Sequence, residues 1–452
     1  MNRMQFKTPL AFFAAASLVF YVLASLISMA PMNLSFLCVL VIWGCTLVRS
    51  KQKRTSSLPL SSEFRSYRFW ALALLITCWG SLLITKFFPY AYAGHDPEVT
   101  IHGFLKIWYL VIPAILLMVF ETVSKTSTFS FLSLVKPWWW LTLAFFFVAL
   151  IQYFTGWPLP QAIPDSVHRF HATLFFGHHL STASIFIFPT FTALAVALGS
   201  ITRKKKYGFI TPHTLSPQWA LLVGIAGFLV LFLSYARTAW IAILIGAFLL
   251  IKKYLTHVTR KQWVLAALLI TLTGGALAQI PVIHARVQKL YGINDRVELW
   301  KANIDFFTHR PITGIGWLKT QEMSEFYFKQ IDPDHYQEHF WGHAHSNFFE
   351  MLGGTGLIGL FAFLGWSLFT LRFAHRLATR FELRALTEKS SASQGLDFFY
   401  SDFARGIFIA LILLHFNGLT NVTFWEGKVM HQQMLAVAML LILDRIFNSS
   451  VN

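Results

Sequence analysis

Apolar runs of about 18 residues or more recur along this chain, and they limit what it can fold into more than any motif does. A backbone inside hydrocarbon must satisfy its own N–H and C=O groups, so long continuous runs of this kind belong to membrane helices. We read about twelve spans, at 10–29, 32–48, 69–88, 104–120, 138–154, 180–199, 218–235, 238–251, 263–281, 348–371, 406–421 and 429–446. The expected fold is an all-α polytopic membrane protein, one transmembrane domain over residues 1–452. One large periplasmic loop, 282–347, is inserted between spans 9 and 10 and contains short helices. With 56% hydrophobic and only 13% charged residues, the chain has too much apolar surface for a soluble domain to bury.

A net charge of +17 could fit a nucleic-acid binder, but its distribution fits a membrane topology instead. With the N-terminus in the cytoplasm, about 25 of the 37 Lys and Arg fall inside, in Arg49 to Arg68, Arg203 to Lys206, Lys252 to Lys261 and Arg372 to Arg405. The acids divide the other way. Both termini are therefore expected in the cytoplasm, the bilayer is the chain's surrounding partner, and no nucleic acid is implied. Arg3 and Lys7 precede an apolar run too long for a usual signal peptide, which reads as a retained first helix. Cys38, Cys45 and Cys78 all lie inside expected spans, where they pack as small apolar groups and form no disulfide framework.

Two cytoplasmic stretches, Thr55 to Glu63 and Arg372 to Asp402, read as flexible loops. Trp138-Trp139-Trp140 after Pro137 is expected to anchor a helix end at the headgroup level. On the outer side, the loop from about Thr155 to His179 carries His168, Arg169, His171, His178 and His179. The larger loop contains a helix start at Asn294-Asp295-Arg296-Val297-Glu298, with Val297, Trp300, Ile304 and Phe307 on one apolar face. Arg310-Pro311 should end that helix, and Thr313-Gly314-Ile315-Gly316-Trp317 reads as a turn with an aromatic tip.

Four features could carry chemistry. Arg237 occupies a tight outer turn between two spans, where the positive-inside rule disfavours arginine, and its planar fork can grip a diphosphate at two oxygens. His335-Tyr336-Gln337-Glu338-His339 spells a zinc-peptidase pattern, but the loop leaves no room for a protease domain, so no metal site is expected. Gly354-Thr355-Gly356-Leu357-Ile358-Gly359 spells G-x-G-x-x-G with no strand before it, which reads as close packing or a bend rather than a nucleotide site. His345 stands where the large loop enters a span. It can take a proton from a sugar hydroxyl, with Asn347 and Glu350 to orient it, or it can be an exposed residue before a capped helix start. Residue chemistry alone leaves those two open.

Ala344-His345-Ser346-Asn347-Phe348-Phe349-Glu350 followed by Gly356-Leu357-Ile358-Gly359-Leu360 resembles the histidine signature of the O-antigen ligase and polymerase superfamily of bacterial envelope proteins. Ser234 to Trp240 resembles its serine-arginine motif, and Arg296 to Trp300 with Gly314-Ile315-Gly316 its arginine helix and glycine turn. The chain departs from the family at Ser346, where members often have Asn, and at Gly354, where they often have an acid. The resemblance implies a GT-C-like, metal-independent, inverting glycosyltransferase without cofactor in the bacterial inner membrane, its active site periplasmic. It implies an undecaprenyl-diphosphate-linked glycan as donor and a sugar of the lipid A core as acceptor, with contacts to other proteins of the O-antigen pathway. By carry-over, Arg237 and Arg296 hold the donor diphosphate and His345 is catalytic, with Arg169, His343, Asn347 and Glu350 as auxiliary candidates. The leading expectation is the ligase. A lipid-linked repeat-unit polymerase shares fold and site, a protein O-oligosaccharyltransferase comes third, and a transporter or flippase, hinted at by His415 and Asn417 within a span, is the rival of another class.

Overall fold

A computed structural model describes residues 5–52, 61–88, 92, 97–161, 170–207, 216–254, 261, 293–339, 341–388 and 390–450, and every regular element longer than a single residue among them is helical. In order these are α1 (Pro9–Ala24), α2 (Met29–Gln52), α3 (Ser62–Phe87), α4 (Ile101–Leu105), a 3₁₀ turn at Trp108–Val111, α5 (Ile112–Ser124), α6 (Leu132–Thr155), α7 (His179–Tyr207), α8 (Pro217–Leu233) and α9 (Arg237–Tyr254). After these come α10 (Ile293–His309), α11 (Thr320–Ile331), a 3₁₀ turn at Tyr336–Glu338, α12 (Asn347–Thr387), α13 (Ser391–Asn417) and α14 (Gly427–Ser449). Several starts are set by side-chain caps: Thr8 accepts from the Ala11 amide, Ser61 from Phe64 and Ser216 from Trp219, with Pro9 and Pro217 filling first-turn positions that need no N–H.

Among the described residues, eight helices are long and apolar enough to cross a membrane, and Pro9–Ala24 and Pro217–Leu233 are apolar but shorter. Of the twelve expected spans, eight fall on those long helices, 10–29 and 218–235 on the two shorter ones, and 238–251 on α9, while 263–281 lies outside the described residues. The apolar window of α14 is 89% buried against 22% for that of α2, so α14, with α13 and α7, forms the middle of the bundle and α2 its exposed rim.

Two local expectations are corrected. The Arg372 to Asp402 stretch is not a flexible loop: α12 continues through it to Thr387 and α13 resumes at Ser391. Its charges explain why, since they tie helices together. Arg384 holds Asp397 through Nε at 2.7 Å, Arg405 and Lys253 both reach Glu382 at 2.9 Å, and Arg203 and the Tyr254 hydroxyl converge on buried Asp402. Ion pairs of this kind are costly to break one side at a time. The second correction concerns the tryptophan triplet. Trp138 and Trp139 are fully buried within α6, and only Trp140 is exposed, lying against Trp219.

A break in α12 positions the Pro311 to Gly316 turn. Gly356 leaves the helical conformation with φ of 63°, which frees backbone groups that the Pro311 to Gly316 segment satisfies. The Ile315 and Gly316 amides donate to the Gly353 and Gly354 carbonyls at 3.0 and 2.9 Å, and the Leu357 amide donates to Pro311 at 2.9 Å. The G-x-G-x-x-G stretch is thus a bend clasped by a turn. Trp317, expected as a tip, is buried edge-on against Trp425. Gly314 sits at φ of 66°, and a Cβ there would meet the Gly354–Thr355 backbone, which has nowhere to move. Gly314→Ala is expected to cost more than the roughly 1–2 kcal/mol of left-handed strain alone. A thermal-unfolding midpoint unchanged from the parent would show that this clasp does not hold the loop.

Candidate active site

The end of the bundle where α9 and α12 begin gathers the charged groups singled out from the sequence. Arg237 is the first residue of α9, after a three-residue turn from α8 in which Tyr235 adopts φ of 56°. That turn is fixed on several sides: Ser234 Oγ donates to Leu231, the Ser234 carbonyl meets His171 Nδ1 at 2.9 Å, and Tyr235 stacks on Tyr153. Thr238, beside Arg237, donates to Asn417 at 2.6 Å, and Asn417 donates in turn to Ser184. Asn417 therefore braces the arginine turn, while His415 is buried beside Phe363. A helix N-terminus carries partial positive charge, and an arginine there strengthens its pull on an anion.

Arg296 lies near the start of α10, which begins at Ile293, one residue before the expected helix start at Asn294. One turn on, Trp300 donates its indole N–H to the Ala344 carbonyl at 2.8 Å and stacks on Phe349 at 5.0 Å. Ala344 is gripped from the other side by Glu350, whose carboxylate accepts the Ala344 amide at 2.7 Å and the Thr320 hydroxyl. Both backbone groups of Ala344 are thus held, and the two imidazoles flanking it are presented together, with ring centroids 4.3 Å apart. The His345 amide donates to His343 Nδ1 at 3.2 Å, and His345 itself takes the left-handed conformation with φ of 46°. Backbone strain of this kind is enriched at functional positions.

Glu350 therefore positions the histidine loop from within the protein. Glu350→Ala would orphan the Ala344 amide and the Thr320 hydroxyl, at a cost of about 1–3 kcal/mol. Glu350→Gln should recover most of this, because its amide oxygen can take the Ala344 amide while its NH₂ donates to a rotated Thr320 hydroxyl. Thermal midpoints of the two variants check this; equal losses would contradict the anchoring role.

The electrostatics of this end are strongly positive. Burial lowers the Arg296 pKa, and the charge of Arg237 lowers it further, so the two guanidinium groups act on each other although 59 positions separate them in sequence. Burial, then His178, Arg296 and Lys106, bring His343 down to about 4, against a smaller upward pull from its own backbone. Burial, then His343, Arg296 and His178, bring His345 down to about 3. His178 is lowered by burial and by Lys428. Both loop imidazoles are consequently neutral at pH 7. A cluster of cations and neutral imidazoles is suited to a multiply charged anion.

The remaining candidates divide. Asn347 turns away from His345: its amide oxygen accepts the Thr423 and Phe424 amides at 2.8 and 3.1 Å, and its NH₂ donates to Thr423 Oγ1, so it locks the α13–α14 loop. Arg169 and His168 lie outside the described residues. The H-x-x-E-H stretch forms a separate cluster, in which His339 bonds Glu298 at 3.0 Å and Asp332 at 2.9 Å while stacking on Phe328. Hydrogen bonds to Asp332 and then Glu298 raise its pKa, which makes it an ion-paired strut between α10 and the end of α11. No group of three metal-ligating side chains occurs among the described residues.

Sequence reading passed over Lys106, Lys428 and Glu426, and named His178 without singling it out. Lys428 donates to the Phe176 carbonyl at 2.5 Å, and Glu426 accepts from Ser181, which approaches His178 Nδ1 at 3.5 Å. A signal existed: both lysines stand at span ends on the side expected to be the outer one, where the positive-inside rule disfavours them as it does Arg237.

Residues 221–364 match a family model described as O-antigen ligase. The matched stretch includes Arg237, Arg296, His343, His345 and the bend at Gly356. No curated protein matches the chain significantly.

Proposed function

We propose that this chain belongs to the O-antigen ligase and polymerase superfamily and is the ligase, a GT-C-like glycosyltransferase that moves a glycan from undecaprenyl diphosphate to the lipid A core. The observation that carries the reading is the convergence of Arg237 and Arg296 beside the His343–His345 pair. The diphosphate ester is its own energy source, so the protein has to bind the leaving group, stabilise its growing charge and accept one proton. Arg237 and Arg296 hold and neutralise the diphosphate. Two positive groups directed at developing charge in a water-poor site supply several kcal/mol of barrier reduction, and electrostatic stabilisation of this kind commonly outweighs every other contribution to catalysis.

His345 takes the proton of the acceptor hydroxyl as that oxygen attacks the anomeric carbon and the bond to the diphosphate breaks. A single displacement inverts the anomeric centre. No metal is needed where two guanidinium groups already face the leaving group, so a chelator is expected to leave transfer unchanged; loss with EDTA and recovery with zinc would overturn this. In this reading the site is periplasmic, both termini are cytoplasmic, the lipid bilayer delivers both substrates, and the loop 282–347 belongs to one transmembrane domain.

The test is an envelope glycolipid gel from a strain lacking this protein, with an immunoblot for undecaprenyl-linked polymer. Bare core with accumulated lipid-linked polymer supports the ligase. Core capped by a single repeat would instead mean polymerase, and an unchanged profile would reject both.

A further inference from the structure

At the end of the bundle opposite the histidines, α3 and α12 run side by side and leave a cavity of about 380 Å³ between them. Its walls are graded. Toward the middle of the bundle they are apolar, formed by Trp70 packed over Gly365, with Leu368 and Phe369; toward the end Ser62, Glu63, Ser66, Arg372 and Arg376 make them mostly polar, with Phe373 between the two arginines in sequence. The change comes at the same level on both helices, since α3 turns apolar at Phe69-Trp70 and the long apolar run of α12 ends at Leu371. Such a gradient along a membrane-facing groove matches one molecule class, a lipid with a charged head and hydrocarbon tails.

The charge at the head end is positive. Arg372 and Arg376 are one helical turn apart on the same face, both exposed, and neither forms an ion pair among the described residues. Like charges at that spacing repel unless an anion lies between them. The acid on the wall does not serve, because Glu63 is bonded to Ser62 and lies 3.9 Å from Arg380, which also holds Asp444 at 3.1 Å. Farther along the same helix Arg380 and Arg384 are tied to acids, whereas these two line the groove mouth. Arg372 lies 25 residues beyond Asn347 on α12, about 37 Å along the helix, so this groove is remote from the histidine site.

We propose that the groove between α3 and α12 binds an anionic phospholipid, its headgroup phosphate between Arg372 and Arg376 and its acyl chains along Trp70, Leu368 and Phe369. Two guanidinium groups suit a phosphodiester better than two ammonium groups would, because each offers a planar fork. The lipid would fasten the ends of α3 and α12 where they meet, and it needs no part of the glycan chemistry.

The experiment uses the full chain purified in detergent, with lipid binding followed by native mass spectrometry against phosphatidylglycerol, phosphatidylcholine and glycerol phosphate. Phosphatidylglycerol should bind best, and its affinity should fall roughly fivefold for each arginine changed to Gln, hence about 25-fold in Arg372→Gln/Arg376→Gln. Arg372→Lys/Arg376→Lys should recover part of that loss, which separates charge from fork geometry. Equal binding of phosphatidylglycerol and phosphatidylcholine, or unchanged affinity in the Gln pair, overturns the proposal. So does glycerol phosphate binding as tightly as the whole lipid, which would mark a free-anion site. The arginines are exposed, so the Gln pair should fold as the parent does, and circular dichroism with a thermal midpoint provides the check.

Discussion

Arg296→Lys is expected to lower glycan transfer by about 10²–10³-fold while the protein still folds and inserts. Arg296 sits on α10, which is fixed one turn later by the Trp300 bond to Ala344 and its stacking on Phe349, so its fork is aimed by a rigid support. A guanidinium can bond two diphosphate oxygens at once, and those bonds strengthen as the leaving group gains charge. Lysine keeps the charge but offers a compact point, which attracts the ground-state diphosphate nearly as well and follows the developing charge less closely. The loss should therefore appear mainly in kcat, with a smaller change in KM. Initial rates in proteoliposomes with a synthetic polyprenyl-diphosphate donor measure both. A variant within about threefold of the parent would reduce Arg296 to simple charge attraction.

The same mounting shows what the sequence made legible. Arg237, Arg296 and His345 could each be marked as candidates from local pattern, by a cation against the positive-inside rule, a helix start and a loop entering a span, while residue chemistry alone left the role of His345 open. The long apolar runs likewise predicted helices that the fold contains. Long-range pairing was not legible. Nothing near Ala344 announces that Trp300 and Glu350 will hold its two backbone groups, or that Asn347 will turn toward Thr423 instead of His345. Charge runs misled for a related reason: Arg372 to Asp402 looked like a solvated loop because several partners of its charges, Arg203, Lys253 and Asp444 among them, are distant in sequence. Trp138 and Trp139 misled because a tryptophan triplet suits an interface belt or a packed core equally until the neighbouring helices are known.

His345→Asn is expected to reduce transfer by about 10²–10⁴-fold, the usual contribution of general acid–base catalysis. Asparagine is the better probe than alanine, because it tolerates the left-handed backbone that His345 adopts at φ of 46° and so removes the imidazole without adding strain. The pH dependence then tests the role. A base must be neutral to accept a proton, and in the free site burial, His343, Arg296 and His178 hold His345 at about 3. The parent's kcat/KM, which reports the free enzyme, should thus stay flat down to about pH 5, well below the midpoint of an ordinary histidine near 6.5. Binding the donor adds negative charge beside the same imidazole and raises its pKa, which improves it as a base at the moment it is needed. The acid limb of kcat should therefore lie at higher pH than that of kcat/KM. Arg296→Gln should move the kcat/KM limb upward too, since one of the cations depressing His345 is gone. An acid limb near 6.5 in kcat/KM that persists in His345→Asn would assign the proton to another group, with His178, near Ser181 and Glu426, the first to replace.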